Sequence, residues 1–226
     1  MRRVLSLAVA AALLFSAATA WAMMPSALLD FEDGTDEGFG TGFGNDASMV
    51  FPIDNIAGSL RMRITDTSAF QQAGRETSNP TEDVYQVLLA ASADETRYFW
   101  SYDWYVDTSS PNDGTFLQIS TYINTGNGYY AQDWDWTPLA KDVELNGDQL
   151  ASGQVFSGTS VESFAAKNYD IPAGQTFFRP GFITNGNGTG VNVYIDNIRF
   201  YCIPEPATIA LVGLVIPALL VGRRRS

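Results

Sequence analysis

Tryptophan and aspartate alternate in one short segment of the chain, where Asp133, Trp134, Asp135 and Trp136 are consecutive. Indole rings can stack on the C–H faces of sugars, and carboxylates accept hydrogen bonds from pairs of hydroxyl groups. If the segment is a loop, these four side chains predict a saccharide contact. If it is an edge strand, the two rings are expected to be buried, and the sequence leaves both interpretations open.

A second aromatic group lies in the segment RYFWSYDWYV, residues 97–106. Side chains alternate between the two faces of a strand. One face is therefore expected to belong to the core, and it carries Tyr98, Trp100, Tyr102, Trp104 and Val106. Tyr105 lies on the opposite face. If the strand predicted at residues 115–124 pairs with this one, Tyr122 joins Tyr105 in a flat platform for carbohydrate; alternatively, another layer covers that face.

Short runs rich in aromatic and β-branched residues recur between clusters of Gly, Asn, Asp and Ser, and no amphipathic helix is evident. Nine strands are predicted, at residues 28–33, 49–53, 59–65, 84–90, 97–106, 115–124, 161–171, 177–184 and 191–201. Loops are expected at 34–46, 67–83 and 185–190. The fold class is therefore all-β, an antiparallel sandwich formed by one domain at residues 23–202.

Charge limits the partners of this domain. Residues 23–202 contain 24 acidic and 8 basic side chains, a formal charge of −16. Nucleic-acid affinity depends on cationic side chains that release counterions from phosphates. No nucleic-acid partner is expected.

The N-terminus has the composition of a secretory signal. Arg2 and Arg3 precede an apolar run at residues 5–18, and the small-x-small triplet at residues 20–22 follows it. Cleavage after Ala22 is predicted, so residues 1–22 form the signal peptide and the secretion machinery is an expected partner. Cys202 is the single cysteine, which excludes an intramolecular disulfide.

The C-terminus is a second apolar segment with a different design. Residues 207–222 are uncharged, and as a helix they would reach about 24 Å, which is short for a bilayer core of about 30 Å. The basic end is expected to hold the C-terminus in the cytoplasm. A transmembrane helix that spans only marginally suits a temporary stop better than a permanent anchor.

Pro204, Glu205 and Pro206, the apolar span and the terminal Arg223, Arg224 and Arg225 together resemble the PEP-CTERM sorting signal of Gram-negative bacteria. The resemblance covers residues 203–226. It implies cleavage near the prolines by an exosortase, a membrane protease, after export across the inner membrane. It also implies a membrane-tethered intermediate that ends at the cell surface or in an exopolysaccharide matrix. A plain single-span anchor is the alternative.

The ends of the central domain, LLDFEDGTDEGFG at 28–40 and VYIDNIRFY at 193–201, resemble the first and last strands of jelly-roll carbohydrate-binding modules of the galactose-binding-like group. In such modules an early acid and a late aspartate often share a structural calcium ion. The resemblance implies Glu32 and Asp196 as ligands, with Asp30 as a third candidate. Calcium takes six to eight oxygen ligands, which carboxylates and carbonyls can supply.

Catalysis is not expected. The chain has no histidine, which excludes Ser-His-Asp and Cys-His chemistry and histidine-bound zinc. Glycoside hydrolysis needs only two carboxylates, but no motif singles out a pair. Three hypotheses remain: an exported surface or matrix protein that binds carbohydrate, a purely structural envelope or matrix component, and, least favoured, a carboxylate glycosidase.

Overall fold

The computed structural model describes residues 26–41, 51–65, 71–109, 116–125, 128–130, 141–165, 171, 174–186 and 190–203. The predicted signal peptide, the Trp134–Trp136 segment and the predicted sorting tail lie outside these ranges. In the described part of the chain, no helix is both long and apolar enough to cross a membrane.

The described residues form short strands that alternate with turns. The strands are β1 (Ala27–Leu29), β2 (Phe39–Thr41), β3 (Ile53–Ile56), β4 (Ser59–Thr65), β5 (Gln71–Arg75), β6 (Tyr98–Asp107), β7 (Phe116–Thr125), β8 (Gly128–Tyr130), β9 (Val143–Asn146), β10 (Val155–Ser163), β11 (Arg179–Gly186) and β12 (Asn192–Cys202). Two helices interrupt them, α1 (Asp83–Ala91) and α2 (Gly147–Leu150), together with a 3₁₀ turn at Glu95–Arg97.

The strands form two six-stranded sheets. Sheet 1 has the order β10-β6-β12-β4-β3, with β1 also beside β12. Sheet 2 has the order β2-β5-β11-β7-β8, with β9 also beside β7. Each pairing whose register is described is antiparallel. The predicted all-β antiparallel sandwich is therefore the observed architecture.

Aromatic rings from both sheets fill the space between them. Trp100 and Tyr102 of β6 are fully buried, and each makes an edge-on contact with Phe182 of β11, at ring-centroid distances of 5.5 and 4.8 Å. Phe200 of β12 lies 4.7 Å from Trp100. The predicted core face of residues 97–106 is thus confirmed, except that Trp104 is half-buried and its ring lies over Gly158.

The strand predicted at residues 84–90 is wrong, because this segment is helix α1. Its buried side chains are Val84, Tyr85, Val87, Leu88 and Ala91. Positions 84, 87, 88 and 91 form one stripe of a helix with 3.6 residues per turn. The prediction followed the β-branched composition of the segment and overlooked this spacing.

Two expected loops contain strands. The loop predicted at 34–46 contains β2, and the loop predicted at 67–83 contains β5. Both strands are short, and glycines lie within them at Gly40 and Gly74. The structure extends β10 over Val155–Ser163, whereas the prediction began this strand at Val161.

Candidate functional site

A row of polar side chains crosses the outer face of sheet 1, which is the face turned away from the other sheet. On β6, Asp103 accepts hydrogen bonds from Thr159 Oγ1 of the neighbouring β10 and from Asn197 Nδ2 of β12, the latter at 2.9 Å. Asn197 Nδ2 also lies 3.3 Å from Asp196 Oδ2. The row therefore runs continuously from the edge strand to the centre of the sheet.

A β-bulge places Asp196 and Asn197 in this row. Strand β12 pairs with β4 as far as Ile195 and with β1 from Ile198 onward, so these two residues lie between the two ladders. Asn197 has φ = 50°, a left-handed conformation that asparagine adopts more readily than most residues. Its N–H donates to Asp196 Oδ1 at 2.7 Å. The bulge thus directs two consecutive polar side chains into the row.

Ser59 joins the two carboxylates that the sequence singled out. Its Oγ lies 2.9 Å from Glu32 Oε1 and 3.0 Å from Asp196 Oδ2. Ser59 opens β4 immediately after a two-residue hairpin turn, Ala57–Gly58, in which both residues have positive φ, 56° and 92°. The tight turn therefore brings Ser59 beside the end of the bulge.

Asp196 is 2% exposed. Burial raises the pKa of its carboxyl above the usual range, and the charge of Glu32 acts in the same direction. The backbone N–H of Asn197, the Ser59 hydroxyl and the Arg61 guanidinium oppose this rise in the pKa. Glu32 and Asp196 share one hydroxyl, and their negative charges repel each other. A cation bound between them would stabilise both in the charged form.

The third predicted metal ligand is placed differently. Asp30 Oδ1 accepts a hydrogen bond from the backbone N–H of Glu32 at 3.3 Å, which is a local turn contact. Across the described ranges, no three His, Cys, Asp or Glu side chains gather as a metal-binding group. The structure therefore brings Glu32 and Asp196 together and does not add Asp30 to them.

Aromatic pairs flank the polar row on the same face of sheet 1. Tyr105 lies edge-on to Tyr194 at 5.9 Å, and the Arg61 guanidinium lies 5.1 Å from the Tyr105 ring centre. Phe99 and Tyr201 lie 5.9 Å apart with nearly parallel rings, at 20°. Phe99 and Tyr105 are six positions apart on one strand, so the two pairs are separated by about 20 Å.

Tyr122 does not lie on this face. The platform of Tyr105 and Tyr122 required the strand at 97–106 to pair with the strand at 115–124. This pairing does not occur, because β6 and β7 belong to different sheets. The inner face of β6 packs across the sandwich against Phe182 of β11 instead of lying beside β7. Tyr105 and Tyr122 therefore lie on opposite outer faces of the domain.

Tyr122 is fully buried on the outer face of sheet 2. Its ring lies across Gly181 of β11, and its hydroxyl lies over Gly74 of β5. The same strand contributes Gln118, Ser120 and Asn124 to this face, all of them at most 8% exposed. Sheet 2 thus has a polar but enclosed outer face, whereas the aromatic pairs of sheet 1, apart from Tyr194, are half-buried.

The remaining predicted residues are not placed by the structure. Asp133, Trp134, Asp135 and Trp136 lie outside the described residues, as do Pro204–Pro206 and Arg223–Arg225. Sequence reasoning missed Ser59, Asn197 and Tyr201 as members of the face. The Ala57–Gly58 turn before Ser59 lacks the Asn-Gly or Asp-Gly pair that signals a hairpin. The bulge at Asn197 likewise gives no signal in the alternation of apolar and polar residues.

No protein-family model matches the chain, and no curated protein matches it. Solved carbohydrate-binding modules are similar in structure. The CBM27-1 module of Caldicellulosiruptor saccharolyticus, solved with mannohexaose, is 12% identical over 77% of this chain and 95% of its own, with a TM-score of 0.43. The mannan-recognising module TmCBM27 is 13% identical over 79% of this chain and 99% of its own, with a TM-score of 0.46. A CBM28 module specific for non-crystalline cellulose is 16% identical over 78% of this chain and 92% of its own, also with a TM-score of 0.46. At these values the similarity assigns neither a ligand nor a site residue to this chain.

Proposed function

We propose that this chain is an exported surface or matrix protein whose sandwich binds carbohydrate without catalysis. One observation carries the proposal: the outer face of sheet 1 combines two half-buried aromatic groups, at Tyr105 and at Phe99–Tyr201, with a row of carboxylate, amide and hydroxyl groups between them. Rings offer stacking surfaces, and the polar row offers partners for hydroxyl groups. The separation of about 20 Å suits an extended oligosaccharide better than a single sugar.

The carboxylates of this face favour binding over hydrolysis. A glycosidase needs one carboxylic acid that can reach the glycosidic oxygen and a second carboxylate across the sugar. Asp196 has the raised pKa of such an acid, but it is 2% exposed and both of its oxygens accept hydrogen bonds from neighbours. It is held as part of the scaffold, so a non-catalytic role is proposed.

The test is retention of the protein on immobilised polysaccharides, including the exopolysaccharide of the producing cells and soluble mannan, xylan and cellulose. Tyr105→Ala and Tyr201→Ala are each expected to reduce retention by about fivefold or more, because loss of an aromatic ring that stacks on a ligand costs about 1–3 kcal/mol in nucleobase contacts. Leu28→Ala is the matched control, since Leu28 is 51% exposed and carries no ring.

The result also separates the other candidates. Full retention in both tyrosine variants, with loss in Trp134→Ala or Trp136→Ala, would assign binding to residues 133–136 and overturn the sheet 1 site. No retention of the unmodified chain on any glycan would favour the purely structural alternative. Release of reducing sugar that one acid-to-amide change abolishes would establish a glycosidase.

We further propose that residues 1–22 direct export and that residues 203–226 are a PEP-CTERM signal cut by an exosortase near Pro204, Glu205 and Pro206. The order of prolines, short apolar span and terminal arginines supports this proposal. Intact-mass measurement of the chain from cells with and without the protease tests it. A chain from normal cells that still ends in Arg223–Arg225 would contradict processing.

A structural calcium ion bound by Glu32 and Asp196 is also proposed. The donor atoms suit calcium in kind, because both are hard carboxylate oxygens and Asp196 is buried beside a like charge. The ion would supply positive charge at the point where the two carboxylates meet Ser59. Backbone carbonyls would have to complete its ligands.

A further inference from the structure

Strand β10, at one edge of sheet 1, is unusually open. Strand β10 pairs with β6 along all nine of its residues and has no second neighbour among the described strands. Val155 is 49% exposed and Val161 is 56% exposed. Ser157, Gly158 and Thr159 between them are exposed as well. This is the most exposed of the long strands.

Two hydrogen bonds determine which backbone groups of β10 point outward. The N–H of Thr108 donates to the carbonyl of Gln154, and the N–H of Phe164 donates to the carbonyl of Tyr98. In an antiparallel pair such hydrogen-bonded positions recur at every second residue. Even-numbered residues of β10 therefore bond to β6, and the N–H and C=O groups of Val155, Ser157, Thr159 and Val161 point toward the open edge.

This edge lacks the usual protection against pairing with another strand. Natural edge strands are blunted by lysine, proline, bulges or short length. Strand β10 contains no lysine, arginine or proline, and Glu162 near its end is its single charged residue. A nine-residue strand of this composition can accept an added antiparallel strand.

The sequence of β10 is complementary to itself about Gly158. In an antiparallel pairing centred there, Val155 meets Val161 of the other strand, and Ser157 meets Thr159. The backbone groups of these residues are the ones that face the open edge. Each of the two pairs occurs twice by symmetry, so four pairs with two bonds each give about eight hydrogen bonds. Valine lies opposite valine and hydroxyl opposite hydroxyl, and both kinds of cross-strand pair are favourable.

The side chains at the centre permit the close approach. Gly158 presents no side chain, because the Trp104 ring occupies that space on the inner face and a Cβ at Gly158 would lie 2.9 Å from it. The two copies of Gly158 would lie opposite each other as a non-hydrogen-bonded pair, the closer of the two pair types. No like charges meet within residues 155–161.

We propose that β10 binds β10 of a second copy of this chain, antiparallel and centred on Gly158, so that two copies of sheet 1 form one continuous sheet. The outer faces of both copies then lie on the same side of that sheet. Each domain carries a formal charge of −16 over residues 23–202. Salt screens this repulsion, and pairing is expected to strengthen as the salt concentration rises.

Cysteine cross-linking of the full chain in the producing cells tests the partner and the register together. In a Cys202→Ser background, Ser157→Cys with Thr159→Cys places thiols on directly opposed positions of the two copies. A mild oxidant is expected to give a species of twice the single-chain mass on a non-reducing gel. The matched control, Ser157→Cys with Val161→Cys, is out of register by two residues and is expected to lose most of that species.

Three outcomes would overturn the proposal: no dimer, equal dimer in both cysteine pairs, or a cross-linked species whose mass shows a different protein. Ser157→Pro provides an independent check, because it removes an N–H that faces the open edge and spares those bonded to β6. The thermal midpoint is expected to stay unchanged. The dimer, cross-linked through Val155→Cys with Val161→Cys, which are directly opposed in this register, is expected to be reduced by the proline over the whole range of salt concentrations. An undiminished dimer in the proline variant would contradict strand pairing.

Discussion

Glu32 and Asp196 lie near opposite ends of the domain sequence, yet a carboxylate oxygen of each is within hydrogen-bond distance of the Ser59 Oγ, at 2.9 Å and 3.0 Å respectively. A hydroxyl has one hydrogen, so it satisfies one carboxylate well and the other only in part. The turn after β1, the β3–β4 turn and the bulge of β12 meet at this point. The contact therefore links the start, the middle and the end of the domain, and its charge state should affect stability.

We predict that Asp196→Asn stabilises the calcium-free protein at neutral pH. Burial raises the pKa of Asp196 in the folded state, so the folded protein binds this proton more tightly than the unfolded chain does. The contribution of Asp196 to the free energy of unfolding of the wild type is therefore fully present below the pKa of Asp196 in the unfolded chain. It is lost as the pH rises through the pKa of Asp196 in the folded protein. The amide removes that loss, and a rise in Tm of roughly 2–4 °C is expected at pH 7.

Thermal unfolding of both proteins in a calcium chelator, between pH 3 and pH 8, measures this effect. The advantage of the variant should disappear at the acidic end, where Asp196 is protonated in both states. A variant that is less stable than wild type at every pH would contradict the prediction. Asp54→Asn is the control, because Asp54 is paired with Arg63 on the same sheet.

Calcium is predicted to reverse the order of these two proteins. A ligand that binds only the folded state at 100 times its Kd stabilises it by about 2.7 kcal/mol. Wild-type Tm should therefore rise on addition of calcium, while Asp196→Asn and Glu32→Gln should show little rise. An equal rise in all three proteins, or no rise in wild type, would exclude this pair as the site.

Tyr122 and two glycines of sheet 2 give a packing prediction. A Cβ at Gly74 would overlap the Tyr122 hydroxyl, whereas a Cβ at Gly181 would overlap both the Tyr122 ring and the carbonyl of Ala73. Overpacking of this kind typically costs about 1–3 kcal/mol. Gly74→Ala should therefore cost less in a Tyr122→Phe background, which lacks the hydroxyl, and Gly181→Ala should cost about the same in both backgrounds.

Denaturant unfolding of the two double-mutant cycles measures this difference. The Gly181 cycle is the control, because backbone cannot move aside as a side chain can. Equal coupling in the two cycles would show that the Tyr122 hydroxyl is not the obstacle at Gly74.

The strands that alternate strongly could be predicted from sequence. The strand at residues 59–65 has the predicted bounds, and the inner face of β6 was identified from its rings. Helix α1 was missed because β-branched composition was weighed above spacing. Strand order is harder to infer, because β6 pairs with the distant β10 and β12, and alternation along one strand carries no information about its neighbours.

The candidate site shows the same limit. Glu32 and Asp196 were paired through a resemblance, and the structure brings them together. Ser59 and Asn197 could not be chosen beforehand, because a hairpin turn and a bulge put them there. Tyr105 and Tyr122 were assigned to one platform by an assumption about strand pairing, and the pairing was wrong.

A final prediction concerns Arg75, which joins three elements of the fold. Its guanidinium lies 3.5 Å from Glu37 before β2 and 3.2 Å from Glu82 at the start of α1. The arginine side chain is only 16% exposed. Burial raises the pKa of Glu37, and the charge of Arg75 opposes that rise. Arg75→Met is expected to destabilise the protein by about 1–3 kcal/mol, because it leaves a half-buried carboxylate without its cation.

The loss in Arg75→Met should depend on pH. Without Arg75, the pKa of Glu37 rises further in the folded state, so the folded variant takes up a proton more readily than its unfolded chain. Its deficit should be largest at neutral pH and should shrink as the pH falls through the folded pKa of Glu37. Arg63→Met is the matched control: it breaks a single, more exposed pair with Asp54, for which about 0–1 kcal/mol is expected. Equal, pH-independent losses in the two variants, measured by denaturant unfolding, would show that Arg75 contributes no more than a surface ion pair.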